Sequence, residues 1–352
     1  MDMMTTRNNY GAIDHFRIIA AILVIAIHTR PLSTYTVYGD FLLTGILARL
    51  AVPFFFMASG FFLFRKSSES SGPSWKMVHG YAYRIGLLYL LSILIYLPVN
   101  LYAGYFKAFG WLGLVKDVLF DGTLYHLWYF PALFLGIYLT VYLYKKVPFP
   151  LLLAITGLLY MIGLLGDSYF GITIMSPTLH AIYSQMFTIF DYTRNGLFFS
   201  PIFLALGASL GIRPGSLHSV RVSAVCFAVF LGLMLAEGVL LEHHAWPRHD
   251  SMYIFLVPAA YYLFQWLISL LGKSNRDLRQ ISTWMYIVHP LIIVLVRGVG
   301  KVTDLRWLLL SNSVSHFVSV TLLSALVAIV IARIGARRDK RNRKNKKESC
   351  SI

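Results

Sequence analysis

Ten stretches of this chain are apolar for long enough to cross a bilayer, approximately 13–30, 41–64, 82–102, 124–144, 149–165, 196–212, 220–240, 252–271, 281–300 and 314–334. A helix needs about 20 such residues to traverse a hydrocarbon core of roughly 30 Å. Within each run the apolar positions are continuous, whereas a strand of a lipid-facing barrel alternates apolar and polar positions. Lipid offers no partner to a backbone N–H or C=O, so helices and closed barrels are the only structures that span it. The pattern therefore predicts an all-α polytopic membrane protein, a bundle of about ten transmembrane helices. No internal repeat is visible, which argues against an inverted-repeat transporter architecture.

Composition agrees with the pattern: 57% of the 352 residues are hydrophobic, 13% are charged and the mean hydropathy is +0.66. The formal net charge is +16. With the amino terminus inside, twenty-one of the 31 Lys and Arg residues fall in the amino-terminal segment, the even-numbered loops and the tail, and seven fall outside, at Arg30, Lys107, Lys116, Arg194, Arg248, Lys301 and Arg306. Cytoplasmic loops carry the excess of positive charge, so both termini are expected in the cytoplasm. The basic run from Arg337 to Lys347 reads as a polybasic cytoplasmic tail, residues 336–352, lying against anionic lipid. Membrane lipid is thus the expected partner of that charge, and nucleic acid is not. The two cysteines, Cys226 in an apolar run and Cys350 in the tail, suggest neither a disulfide nor a metal site.

The informative positions are those where the apolar pattern is broken. Arg17 and His28 interrupt the first run with ten residues between them. Eleven helical steps amount to roughly 1100°, close to three turns, so the two lie on one face about 16 Å apart. An ionisable residue within a membrane helix is a functional-site hypothesis by default. His28, near the outer end, suits acid–base work on a hydroxyl, or else a hydrogen bond to a neighbouring helix. Arg17, one turn from Asp14, suits an ion pair or an anion site. Arg49 lies at a depth comparable to that of His28 and is a candidate to share its cavity, or to pair with an acid such as Asp40 or Asp121.

Ser59 and Gly60 in PFFFMASGFF (Pro53 to Phe62) read as close helix packing rather than as a nucleophile. His126 and Trp128, in YHLWYFP, suit an interfacial aromatic anchor or an acceptor site. His289 precedes Pro290 and is placed to cap a carbonyl that the proline leaves without its N–H. The loop acids Asp121, Asp167, Asp191 and Asp250 read as solvated, with attraction of an ammonium group as the functional alternative. Ser67 to Ser74 reads as a flexible linker.

Taken in order, Arg17 and His28, PFFFMASGFF, Arg84-Ile85 after a basic loop, HLWYFPA (His126 to Ala132) and STWMYIVHP (Ser282 to Pro290) resemble the acyltransferase-3 family of integral membrane proteins. The resemblance covers nearly the whole chain, residues 1–335. It implies a ten-helix enzyme moving an acyl group, often acetyl, from cytoplasmic acyl-CoA to a hydroxyl of an extracytoplasmic glycan or related acceptor. His28 would be the essential histidine and Arg17 its paired residue, with Arg84 on the CoA side and no metal required. The family commonly has Arg-x-x-Arg at the start of the third helix; here Arg84 matches the second position and Tyr81 stands at the first, so Lys76 and His79 are the nearby sources of charge. Arg49, His126, Trp128 and Asp121 are the candidates for the acceptor.

FDGTLYHLWYFPA, GLLGDSYFGI, FDYTRNGLFF and RHDSMY are similar in particular to the membrane half of the VanT-type serine racemases of vancomycin-resistance clusters. Those proteins carry a pyridoxal-phosphate racemase domain after the membrane half, and no such domain lies in these 352 residues. This resemblance implies the alternative function, binding or transport of L-serine for a racemase encoded separately. In either case the expected location is the bacterial cell membrane, with multiple passes.

Overall fold

In a computed structural model, which describes residues 10–67, 72–105, 110–212, 218–270 and 272–349, with side chains to residue 338, every one of the ten apolar runs coincides with a helix. The helices, in chain order, are α1 (Gly11–Thr29), α2 (Val37–Arg65), α3 (Trp75–Tyr102), α4 (Trp111–Lys116), α5 (Tyr129–Lys146), α6 (Phe149–Leu165), α7 (Phe170–Met175), α8 (Pro177–Ile189), α9 (Ser200–Ile212), α10 (Val220–His243), α11 (Leu256–Ser269), α12 (Arg276–Val302) and α13 (Ser313–Ser349). Among the described residues there is no strand, only an isolated bridge between Tyr10 and Gly272.

Six helices, α1, α2, α3, α10, α12 and the Ser313–Arg338 part of α13, are long and apolar enough to cross a membrane, while α6, α9 and α11 are shorter apolar helices. The two long connections, Ala103 to Thr123 and Gly166 to Asn195, read from the sequence as loops, contain α4, α7 and α8. The linker predicted from Ser67 to Ser74 falls in part on residues 68–71, outside those described, as do the side chains of most of the basic tail.

Side-chain caps set several helix starts. Ser74 accepts from the Met77 N–H, Ser176 from Leu179, Ser219 from Val222, and Asn275 from both Asp277 and Leu278, each satisfying a donor that the helix itself leaves unbonded. In α2 the regular ladder gives way to a π turn at Phe41–Ile46 and a 3-10 turn at Leu47–Leu50, which places Arg49 on an irregular stretch just before Pro53.

Two compact units divide the chain, one formed by Met1–Thr44 and Leu270–Ile352, the other by Gly45–Ser269. In the first, α1 and α13 pack against α12. In the second, α2 packs tightly on α9. A Cβ added at Gly60 would come within 2.1 Å of the Leu204 carbonyl oxygen, and one at Gly207 within 2.1 Å of that of Met57. The two backbones therefore touch, as small residues at a membrane helix crossing permit. The Ser59 hydroxyl donates to the Phe55 carbonyl at 2.9 Å, so this segment is packing, as its sequence indicated. On α3 the side chains of Leu87, Leu90, Leu94, Leu97 and Leu101 point outward and are exposed, the apolar surface that a bilayer covers.

Candidate functional site

The first unit holds two of the predicted residues. Asp14, fully buried, sits one turn into α1 and accepts at Oδ2 from the Ser274 hydroxyl (3.0 Å), the Asn275 N–H (2.7 Å) and Arg279 Nη1 (2.8 Å). Arg17 Nε lies 3.8 Å from Asp14 Oδ1. The ion-pair reading of Arg17 is thus the geometry found, with a second arginine, Arg279, that lies too far along the chain to have been expected. Two guanidinium groups share the Asp14 carboxylate.

Near the other end of α1, the half-buried His28 ring stacks on that of His289, with centroids 5.4 Å apart and planes 22° apart. Pro290 has no N–H to give to the carbonyl one turn back, which is that of Tyr286. His289 Nδ1–H donates to this same carbonyl at 2.8 Å and lies 3.2 Å from that of Met285. The predicted cap is therefore present, and it fixes the tautomer: Nδ1 carries the proton and Nε2 is the accepting nitrogen. What the sequence missed is that the capped ring also buttresses His28, because the two residues are far apart in the chain.

The remaining candidates belong to the second unit, so Arg49 and His28 fall in different units. Arg49 Nη2 bonds Asp250 Oδ1 at 2.6 Å. Its partner is neither of the acids considered: Asp40 takes Arg30 Nε at 2.9 Å, and Asp121 accepts the Asp191 N–H at 2.9 Å. Of the four loop acids read as solvated, Asp191 keeps half of its side chain exposed and Asp250 a third, but the other two are enclosed. Asp167 is fully buried, with Oδ1 accepting the Ser251 and Met252 N–H groups at 2.8 and 2.9 Å, and Asp121 is buried as well. The folded connections cover them. Burial drives the Asp167 pKa up to about 7, against the opposing pull of Arg194, and that of Asp121 up to about 6.

Trp128 is half-buried. The Arg194 guanidinium lies 5.3 Å from its ring centroid and 4.2 Å from that of Tyr192. His126 is buried, edge-on to Tyr96 at 5.1 Å. Asp121 joins Asp117 and Asp191 in a group whose nearest carboxylate oxygens all lie within 4.8 Å of one another, with Lys116 Nζ 2.5 Å from Asp191 and the Tyr105 hydroxyl donating to Asp117. Such a set has the oxygen chemistry that holds a hard divalent cation.

Arg84 and Lys76 do come together. They line a cleft of about 240 Å³ with Lys66, Phe62, Leu63, Met77, Gly80 and Tyr81, between the end of α2 and the start of α3. Lys66 lines this cleft beside Tyr81, the position where the family commonly has arginine. His79 turns away and bonds the Tyr138 hydroxyl at 2.8 Å.

A model of the acyltransferase-3 domain family matches residues 10–333. The chain belongs to the acyltransferase-3 family. Among curated proteins, an amino-acid racemase of Enterococcus faecalis is 39% identical over 334 residues, 94% of this chain and 46% of that protein. A second amino-acid racemase of the same organism is 38% identical over 334 residues, 93% of this chain and 47% of that one. A serine/alanine racemase of Enterococcus gallinarum is 36% identical over 326 residues, 91% of this chain and 45% of that one. The chain spans about half the length of the curated relatives it matches. No solved structure matches. As an acyltransferase-3 protein with several membrane-length apolar helices, it is a multi-pass membrane protein.

Proposed function

We propose that this acyltransferase-3 protein is a ten-span O-acyltransferase of the bacterial cell membrane with both termini in the cytoplasm. It moves an acetyl-type group from cytoplasmic acyl-CoA to a hydroxyl acceptor on the extracytoplasmic side. The observation that carries the reading is His28 held against the tautomer-fixed His289 in a chain of this family. His28 takes the proton of the acceptor hydroxyl as its oxygen attacks the thioester carbonyl, the C–O bond forms, the C–S bond breaks, and the proton passes to the departing thiolate. General acid–base help of this kind supplies typically about 10²–10⁴-fold in rate.

The donor substrate fits the Lys66, Lys76 and Arg84 cleft: three cations suit its phosphates, and Phe62, Leu63 and Met77 suit an apolar arm. Acyl-CoA turnover by the purified protein in nanodiscs is the test. His28→Ala is expected to abolish it, and undiminished turnover in that variant would sink the reading.

The names of the relatives favour one second reading, a VanT-like membrane domain that binds or transports L-serine for a racemase. Saturable serine binding with no response to acyl-CoA would select it.

A further inference from the structure

A groove in the second unit has room for a ligand and nothing polar to offer it. It measures about 220 Å³ and lies between α3, α5 and the π turn Asp117–Asp121, lined by Ile85, Gly86 and Tyr89 from the first, Phe130 and Phe134 from the second and Val118 from the third. Among the described residues that line it, Tyr89 alone has a polar side-chain atom, and its hydroxyl is spent on the Val118 carbonyl at 3.1 Å. The Tyr89 ring stacks on that of Phe130, with centroids 5.7 Å apart, so this wall is fixed.

Gly86 opens the groove. It stands in the interior of a 28-residue helix, where glycine is less stable than alanine, yet a Cβ added there meets nothing within 4 Å. No close helix crossing requires it, in contrast to Gly60 and Gly207. By rise per residue Gly86 is about 16 Å along α3, well inside the hydrocarbon span of that helix. Leu87 and Leu90, at the same level, face outward and are exposed, and so is Phe134 in the lining, so the groove opens on the surface that lipid covers.

The chemistry of the groove selects its occupant. A water needs about 2–4 polar partners, and the lining offers none. A helix is about 10–12 Å across with its side chains, too wide for this space, and an extended segment would bring N–H and C=O groups that find no partner there. Hydrocarbon needs no hydrogen bond and gains dispersion contact with the rings and branched side chains. We propose that the groove binds one acyl chain of a bilayer phospholipid, lodged between α3 and α5. The inference is independent of the acyl-transfer reading, and its test measures no turnover.

The full chain is reconstituted in nanodiscs of phosphatidylglycerol containing a trace of the same lipid with a photoreactive diazirine at the middle of its acyl chain, irradiated, digested and mapped by mass spectrometry. Labelling is expected at the buried Ile85 and Phe130, at least fivefold above Leu87 and Leu90 on the outward face. Gly86→Phe, which fills the groove, is expected to cut the groove label at least fivefold and to leave Leu87 and Leu90 unchanged. Label confined to the outward face, as ordinary bilayer contact gives, or full groove labelling in Gly86→Phe overturns the proposal. So does loss of the groove label to an excess of palmitate or palmitoyl-CoA, which assigns the space to a free acid or to the chain of a thioester. Should Gly86→Phe not elute as a single species, Gly86→Leu replaces it, since leucine has a higher helix propensity than glycine and reaches into the same space.

Discussion

Each unit of the molecule buries an aspartate near an arginine, and the two are finished differently. In the first, a hydroxyl, a backbone N–H and Arg279 converge on one oxygen of Asp14, while Arg17 stands 3.8 Å from the other, so that two arginines match its charge. In the second, Asp167 and Arg194 form no ion pair among the described residues, and Asp167 is held through Oδ1 by two backbone N–H groups. A buried carboxylate matched by arginines is a joint of the fold; one held by backbone N–H groups keeps its charge at greater cost.

The contrast can be broken in four ways, in decreasing order of effect. His28→Ala, which removes a group used only in the reaction, should lower acyl transfer by about 10²–10⁴-fold with an unchanged melting temperature. A variant that melts early instead would place His28 among the joints. Asp14→Ala should act in the opposite sense, costing about 3 kcal/mol of stability by stranding two arginines, as measured by thermal unfolding in nanodiscs.

The second arrangement predicts a pH dependence. Burial raises the folded-state pKa of Asp167 to about 7 and that of Asp121 to about 6, above the ordinary carboxylate value of 3.8. Between the ordinary value and the raised one, the folded state binds more protons than the unfolded state, so stability is full at the acid end and falls as the pH rises toward 7, by up to about 1.4 kcal/mol per pH unit for each group. Asp167→Asn should flatten that slope, and an unchanged slope would show that the carboxyl is already ionised in the folded protein. Last, Lys76→Gln or Arg84→Gln should each raise the KM for acyl-CoA several-fold, about 1 kcal/mol for one exposed phosphate contact, with kcat little changed.

Much of this was legible in the sequence because lipid imposes it. All ten apolar runs became helices, and Pro290 announced the cap that His289 makes. The stretch around Ser59 and Gly60 is a helix crossing, as its small residues implied. The rest depended on contacts distant in sequence. Asp250 is 201 positions from Arg49, so nearer acids were the natural guesses. Asp121 and Asp167 read as solvated, because nothing local shows that the Asp191 N–H reaches the first and the Ser251 and Met252 N–H groups the second. Arg194 entered only as one positive charge in an outer loop. Arg17 and His28 share a helix and a face, so their pairing could be read directly, whereas the His28–His289 stack could not.

The most direct test is acyl-CoA turnover by the purified protein in nanodiscs, wild type beside His28→Ala and Arg84→Ala, with labelled L-serine binding followed in parallel. The account predicts transfer in the wild type, its loss in His28→Ala and a raised KM in Arg84→Ala. Serine binding in a protein that never consumes acyl-CoA would contradict it.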